Sequence, residues 1–419
     1  MSRERGKHRA PNHNGYNPEK NKARYFDNIR EIISAAGGEG LFESIPRKGL
    51  RLLYWLRFLP INIVAAPGEN IPDDVLRDMR RELPDAMDWI KVSVLKDGTE
   101  IPLRIFQPAG LPFLYYLREL EGNGYRGAHE LEGLLDRFLP MKEALEQVNL
   151  RLAAVMIFLG LIASDLGSRI YWLEFRVLSN GKNVGKGTGS IMRIHVSQPN
   201  RIRMMLGGGG VRNVIRLIMP LPYGIGLKGH TVEAKRIGLE GTQLETYIEE
   251  HALRRLAERL DCIDRWRSYL HLFEALSNPR ALASDGGTIM LEYRCMGLKV
   301  GYLVGEVHSH KLVIRTFLFV TNDGTPEGKQ LEKMWGLARL DKKTLAIDKL
   351  STFVSLDIGS DARLASIFSE AGCGDLMKVR DELGKDGDEG SASRSMEFMV
   401  KYLSGTGFFE AEEVEGFES

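Results

Sequence analysis

Between Met141 and Ala163 the chain reads MKEALEQVNLRLAAVMIFLGLIA, and its last two-thirds is apolar nearly all round a helix. A helix at a protein surface carries one apolar stripe, so one apolar on every side must be enclosed by protein or by lipid. The uninterrupted apolar run, Leu152 to Ala163, is 12 residues long, short of the ~18 to 20 needed to span a bilayer. The expectation is a buried central helix, separated at Pro140 from a preceding helix by the lost backbone donor and the clash that proline brings. A chain of 419 residues, 43% of them hydrophobic, is long enough to build such a core and to divide into two or three domains.

The periodicity around this helix divides the chain. Residues 25–167 are mainly helical in pattern, with segments at Tyr25–Ala36, Pro72–Glu82, Leu114–Leu120, His129–Phe138 and Met141–Ala163, and strand-like pieces at Trp89–Leu95 and Glu100–Phe106 around a short turn. After Gly167 the pattern changes to β-branched and aromatic strands between glycine-rich loops, giving a β-rich region over 168–243. A helix-helix-meander module follows over 244–326, then a helical C-terminal region over 327–383 in which Ser360 or Asp361 caps a helix. The fold class expected is α+β: a helical N-terminal domain, a central antiparallel β-rich region and a helical C-terminal part.

The ends are polar and opposite in charge. Residues 1–24 hold seven Lys/Arg against two Glu and almost no large aliphatic side chain, which predicts a mobile basic arm. Residues 384–419 read as a polar linker, a short helix at Met396–Leu403 and an acidic tail with five Glu in its last fifteen residues. The whole is nearly neutral, 57 basic against 56 acidic side chains, so any affinity for polyanions must be local. Cys262, Cys295 and Cys373 lie too far apart for a cysteine zinc site or disulfide framework, and no apolar leader opens the chain. A reducing cytoplasm and no membrane contact are expected.

From Gly181 to Arg236 ten cations face one acid: Lys182, Lys186, Arg193, Arg201, Arg203, Arg212, Arg216, Lys228, Lys235 and Arg236 against Glu233. Phosphate backbones release condensed counterions when such side chains bind, so the block is a candidate surface for RNA or DNA; the alternative is a basic face answering an acidic one elsewhere in the protein. Gly181–Gly189 fails as a phosphate loop, because three residues rather than four separate its first glycines and Lys186 is followed by glycine. Glu233-Ala-Lys235 has the form of half a metal-dependent nuclease core without a matching acidic strand, and His308-Ser-His310 lacks a third ligand. No metal or other cofactor is therefore expected.

Leu244–Asp261 reads as one amphipathic helix, with Ile248, Ala252, Leu256 and Leu260 at four-residue spacing and His251, Arg255 and Arg259 as a cationic row beside them. With Glu274-Ala-Leu-Ser-Asn-Pro279 ending a second helix and the late strand Lys311–Thr321, this segment resembles the RelE/ParE-like bacterial toxin fold, in particular its BrnT-like relatives. The resemblance spans about 80 residues, 244–325, of short, degenerate motifs. It implies an endoribonuclease of toxin or defence type acting without metal; the candidate protein partner is an antitoxin-like or assembly protein. Known members are small single domains, whereas long segments flank this one.

Metal-free RNA cleavage needs a base for the ribose 2′-hydroxyl, cations for the phosphorane and an acid for the leaving oxygen. His251, Arg255, Arg259, Tyr293, Lys299 and Arg315 carry groups of those kinds. Arg315 stands out because it sits mid-strand among apolar neighbours, where a charge must be paired or must line a site. Three functions remain open: a metal-independent endoribonuclease, a non-catalytic nucleic-acid- or protein-binding subunit of a larger assembly, and a metal-dependent nuclease using Glu233 and Lys235.

Overall fold

A computed structural model describes residues 18–120, 127–178, 187–207, 209–220, 226–283, 287–356 and 358–384. The helices are α1 (Pro18–Ala35), α2 (Arg47–Leu56), α3 (Asp73–Trp89), α4 (Leu103–Arg118), α5 (Ala128–Glu132), α6 (Met141–Ala163), α7 (Glu250–Arg259), α8 (Arg265–Ser277), α9 (Pro326–Trp335), α10 (Arg339–Thr344), α11 (Leu350–Ser355), α12 (Ala362–Glu370) and α13 (Asp375–Gly384). The strands of the first half are β1 (Asn62–Ala65), β2 (Lys91–Ser93), β3 (Glu100–Pro102), β4 (Ile170–Leu178), β5 (Gly189–Ser197), β6 (Arg201–Leu206) and β7 (Gly210–Arg216). Those of the second are β8 (Ile218–Pro220), β9 (Leu227–Gly229), β10 (Thr231–Glu233), β11 (Gln243–Glu249), β12 (Ala281–Ala283), β13 (Thr288–Cys295), β14 (Leu298–His308) and β15 (Lys311–Phe319). The class is α+β, with helices toward both ends.

The contacts resolve two compact units, each interrupted in sequence. One comprises 1–61, 91–148 and 177–190; the other comprises 62–90, 149–176 and 191–419. In the first, Tyr25 on α1 donates its hydroxyl to the Leu53 carbonyl of α2, and α1 and α2 both pack on α4. Residues 18–24, expected in a mobile arm, instead form the opening turns of α1. The rest of that arm, Lys182 and Lys186, and the linker, final helix and acidic tail over 385–419 lie outside the described residues.

The second unit is organised by an eight-stranded sheet in the order β12-β13-β14-β15-β11-β7-β6, with β10 pairing the first half of β11. β13, β14 and β15 form the expected antiparallel meander, while β11 joins β15 in parallel. Tight turns close the meander. Met296 and Gly297 are left-handed between β13 and β14, as are Ser309 and His310 between β14 and β15, the backbone geometry that short hairpins require. A smaller sheet has the order β1-β5-β4, and α6 is buried along its apolar part as expected, with Ala153, Val155 and Leu159 fully enclosed.

One expected helix is half strand. Gln243–Glu249 is β11, and only Glu250–Arg259 is helical. Leu244, Thr246, Tyr247 and Ile248 are buried on both faces of a central strand, where a contiguous apolar run is the norm. Ile248 belongs to the sheet, whereas Ala252, Leu256 and Leu260 form the buried stripe of α7. Similarly, Leu103 starts helix α4 where a strand was expected to continue to Phe106, and α4 runs on through Pro108 and Pro112.

Candidate nucleic-acid interface

Register partners and alternation assign the side chains of the large sheet to its two faces. One face carries Leu206, Val214, Tyr247 and Val313, which form a buried cluster with Ile202 and Met204 packed against it. By the same alternation Glu249, Glu306 and Arg315 lie on that face. In a flat sheet β6 and β14, four strands apart, would be separated by roughly 19 Å. The Gly207 amide at the end of β6 nevertheless donates to Glu306 Oε1 of β14 at 2.9 Å. The β6–β7 ribbon therefore curls over the face and closes on the meander, covering the cluster.

Arg315 fastens this closure. Its guanidinium donates to Glu249 at 3.1 Å, to Glu306 at 3.1 Å and to the Gly207 carbonyl at 2.9 Å. Burial opposes its charge, but the two carboxylates outweigh it and hold the pKa above the usual arginine value. The mid-strand charge is thus paired, by acids that are themselves charged interruptions of apolar strands in the sequence, VGEVH and TYIEE. That shared signature was the available signal for Glu249 and Glu306.

The remaining expected catalytic groups go to other partners. Arg255 pairs with Glu258 at 3.0 Å, Arg259 with Asp348, and His251 Nδ1 meets Arg254 at 3.0 Å. Tyr293 is fully buried and donates to the Ser268 carbonyl at 2.8 Å. Lys299 binds Glu327 at 2.6 Å, and Tyr302 donates to the same carboxylate oxygen. α7 packs on β15, so Arg255, Arg259 and Arg315 occupy neighbouring elements. Their guanidinium groups are held by different carboxylates, and Tyr293 and Lys299 belong to two further sets of contacts. The six thus engage separate sets of partners.

Much of the basic block is likewise answered by acids. Arg201 pairs with Glu250 and donates to the Gly167 carbonyl; Arg216 pairs with Glu245 at 2.7 Å; Lys235 and Arg236 share Glu233. Arg193 lies 3.9 Å from Glu174, whose pKa is held down by its hydrogen bond to Arg176. That carboxylate also faces His195, which stacks on Trp172 with ring centroids 4.0 Å apart. Lys228 is exposed. Arg203 and Arg212 are exposed and meet no acidic side chain among the described residues. Glu233 and Lys235 meet only in this shared ion pair with Arg236, and among the described residues no three His, Cys, Asp or Glu side chains stand close enough to hold a metal ion.

Comparison with protein-family models, curated proteins and solved structures gave no match. The interface therefore rests on its own chemistry. On the ribbon's outward face the register places Arg203 opposite Asn213 and Met205 opposite Val211. Met205 and Val211 are each 56% exposed, high for apolar side chains in paired strands. Arg212 adds a cation at the same end of the ribbon, on its other face.

Proposed function

We propose that the chain is a nucleic-acid-binding component, gripping RNA or DNA through the outward face and tip of the β6–β7 ribbon. Arg203 and Arg212 supply phosphate contacts, while Met205 and Val211 pack on sugar or base. The observation that carries this reading is acid-free Arg203 on the face that exposes Met205 and Val211, with acid-free Arg212 at the same end of a ribbon anchored at its tip. A cation without an internal partner keeps its counterion-release free energy for a ligand, unlike Arg201, Arg216 or Arg315. The paired state of Arg315, Arg259 and Lys299 favours binding without cleavage, as a subunit of a larger assembly. The resemblance of residues 244–325 to RelE/ParE-like toxins makes RNA the first polymer to test.

The test is fluorescence anisotropy with labelled single-stranded RNA, single-stranded DNA and duplex DNA over a salt series. Each phosphate contact contributes about −0.7 to the log–log salt slope on single strands and −0.9 on duplex DNA, so Arg203→Ala/Arg212→Ala should flatten it by roughly 1.4 to 1.8. Unchanged slope and affinity in that variant would remove the ribbon from the interface. Chelator-resistant RNA cleavage abolished by Arg315→Ala in a folded protein would replace the binding reading with the endoribonuclease one.

A further inference from the structure

In the first unit, α2 turns an unusual face outward. Gly49 and Leu53 are buried, Gly49 against Tyr116 of α4. Beside and beyond them on the helix Leu52, Trp55 and Leu56 are 39%, 47% and 36% exposed. Their i, i+3, i+4 spacing makes them contiguous on the helix. Lys48 and Arg51 lie on the same exposed side, each four residues before one of the apolar groups, Leu52 and Trp55 respectively. Between Pro46 and Ile61 the chain has four cations and no acid, and Arg47, Lys48 and Arg51 meet no carboxylate among the described residues.

We infer that this face of α2 docks on an anionic lipid surface, with Leu52, Trp55 and Leu56 at the headgroup–acyl boundary and the cations on lipid phosphates. Three features select this occupant. Aliphatic side chains joined to an indole and ringed by cations match a helix lying in the interfacial plane, where tryptophan is favoured. The face is the convex side of one helix rather than a groove, so it offers no cradle for a partner helix. A second copy is disfavoured, because a symmetric contact would bring two sets of unanswered cations together. Such docking requires no helix to cross the bilayer; α6, long and apolar enough by length and composition to do so, is 67% buried within the protein.

Full-length protein would be co-sedimented with vesicles of phosphatidylcholine alone and of phosphatidylcholine with phosphatidylserine. Binding is expected only to the phosphatidylserine vesicles and to fall about tenfold or more in Lys48→Glu/Arg51→Glu and in Leu52→Ser/Trp55→Ser/Leu56→Ser. Brominated acyl chains should quench tryptophan emission in the wild-type protein and less in Trp55→Phe. These positions are exposed, so circular dichroism should match wild type; should the triple variant unfold, the charge-reversal pair and Trp55→Phe carry the result. Equal binding to both vesicle types, or unchanged binding in the folded variants, overturns the proposal. So does a self-association, or a nucleic-acid affinity, that these substitutions abolish while vesicle binding stays absent.

Discussion

Replacing Arg315 with alanine separates a structural latch from a catalytic group. The substitution removes two charge-assisted contacts of 3.1 Å and one of 2.9 Å, and strands Glu249 and Glu306, whose side chains are only 12% and 20% exposed. Exposed ion pairs contribute ~0.2 to 1 kcal/mol and breaking a buried one costs ~3 to 5 kcal/mol. With Arg315 itself 32% exposed, the expected loss is about 2 to 3 kcal/mol. Urea unfolding followed by far-ultraviolet circular dichroism measures it. The Gly207 amide, held by Glu306, should also exchange faster as the ribbon loosens. Because the latch is a pair interaction, Arg315→Ala/Glu306→Ala should lose about 1 to 2 kcal/mol less than the sum of its single variants. A variant within about 0.5 kcal/mol of wild type, additive with Glu306→Ala, would show that Arg315 does not hold the ribbon.

Other expectations follow from buried polar groups and close packing. Burial lowers the pKa of His230 from 6.5 to about 4, with its ring bonded to Thr246 and Ser277. The unfolded imidazole gains its proton first, so this stability is complete above pH 6.5 and declines as pH falls from 6.5 toward 4. The loss is on the order of 3 kcal/mol, read from denaturation midpoints across that window and absent in a folded His230→Gln variant. Gly328→Ala should prevent stable docking of α9, because a methyl there would overlap the Asn322 carbonyl; thermal melting should fall by ~10 °C or more, or expression should fail. Tyr293→Phe removes the hydrogen bond that the buried hydroxyl gives the Ser268 carbonyl of α8. It should cost about 1 to 2 kcal/mol in urea titrations and leave nucleic-acid affinity unchanged.

Sequence periodicity carried the element pattern furthest where packing and pattern agree. Met141–Ala163 is helical over its expected range, Arg201–Leu206 is a strand over its expected range, and Asp361 caps α12 through the Arg363 and Leu364 amides. It failed across Leu244–Glu249, where Ile248 happens to stand four residues before Ala252 but is buried by β7 and β15 rather than by a helix face. Helix α2 was not foreseen, although Leu52, Leu53 and Leu56 set against Arg47, Lys48 and Arg51 make it strongly amphipathic. For the interface, composition located the cations without their partners. Glu250 lies 49 residues from Arg201 and Asp348 lies 89 from Arg259. Pairing over such separations is created by the sheet order, so the exposed arginines could be told from the neutralised ones only in three dimensions.

The ribbon's closure also bears on the order in which the sheet assembles. Glu306 and Arg315 face each other across one hairpin, nine residues apart, but the Gly207 backbone they hold is 99 and 108 residues away. Chain closure over such a span is entropically slow to complete, whereas the β13–β14–β15 meander forms from neighbours. The meander thus presents the Glu306 carboxylate and the Arg315 guanidinium, already paired, before the glycine-rich tip arrives. The ribbon is therefore expected to join last and detach first, which faster hydrogen exchange at the Gly207 amide than along the meander would show.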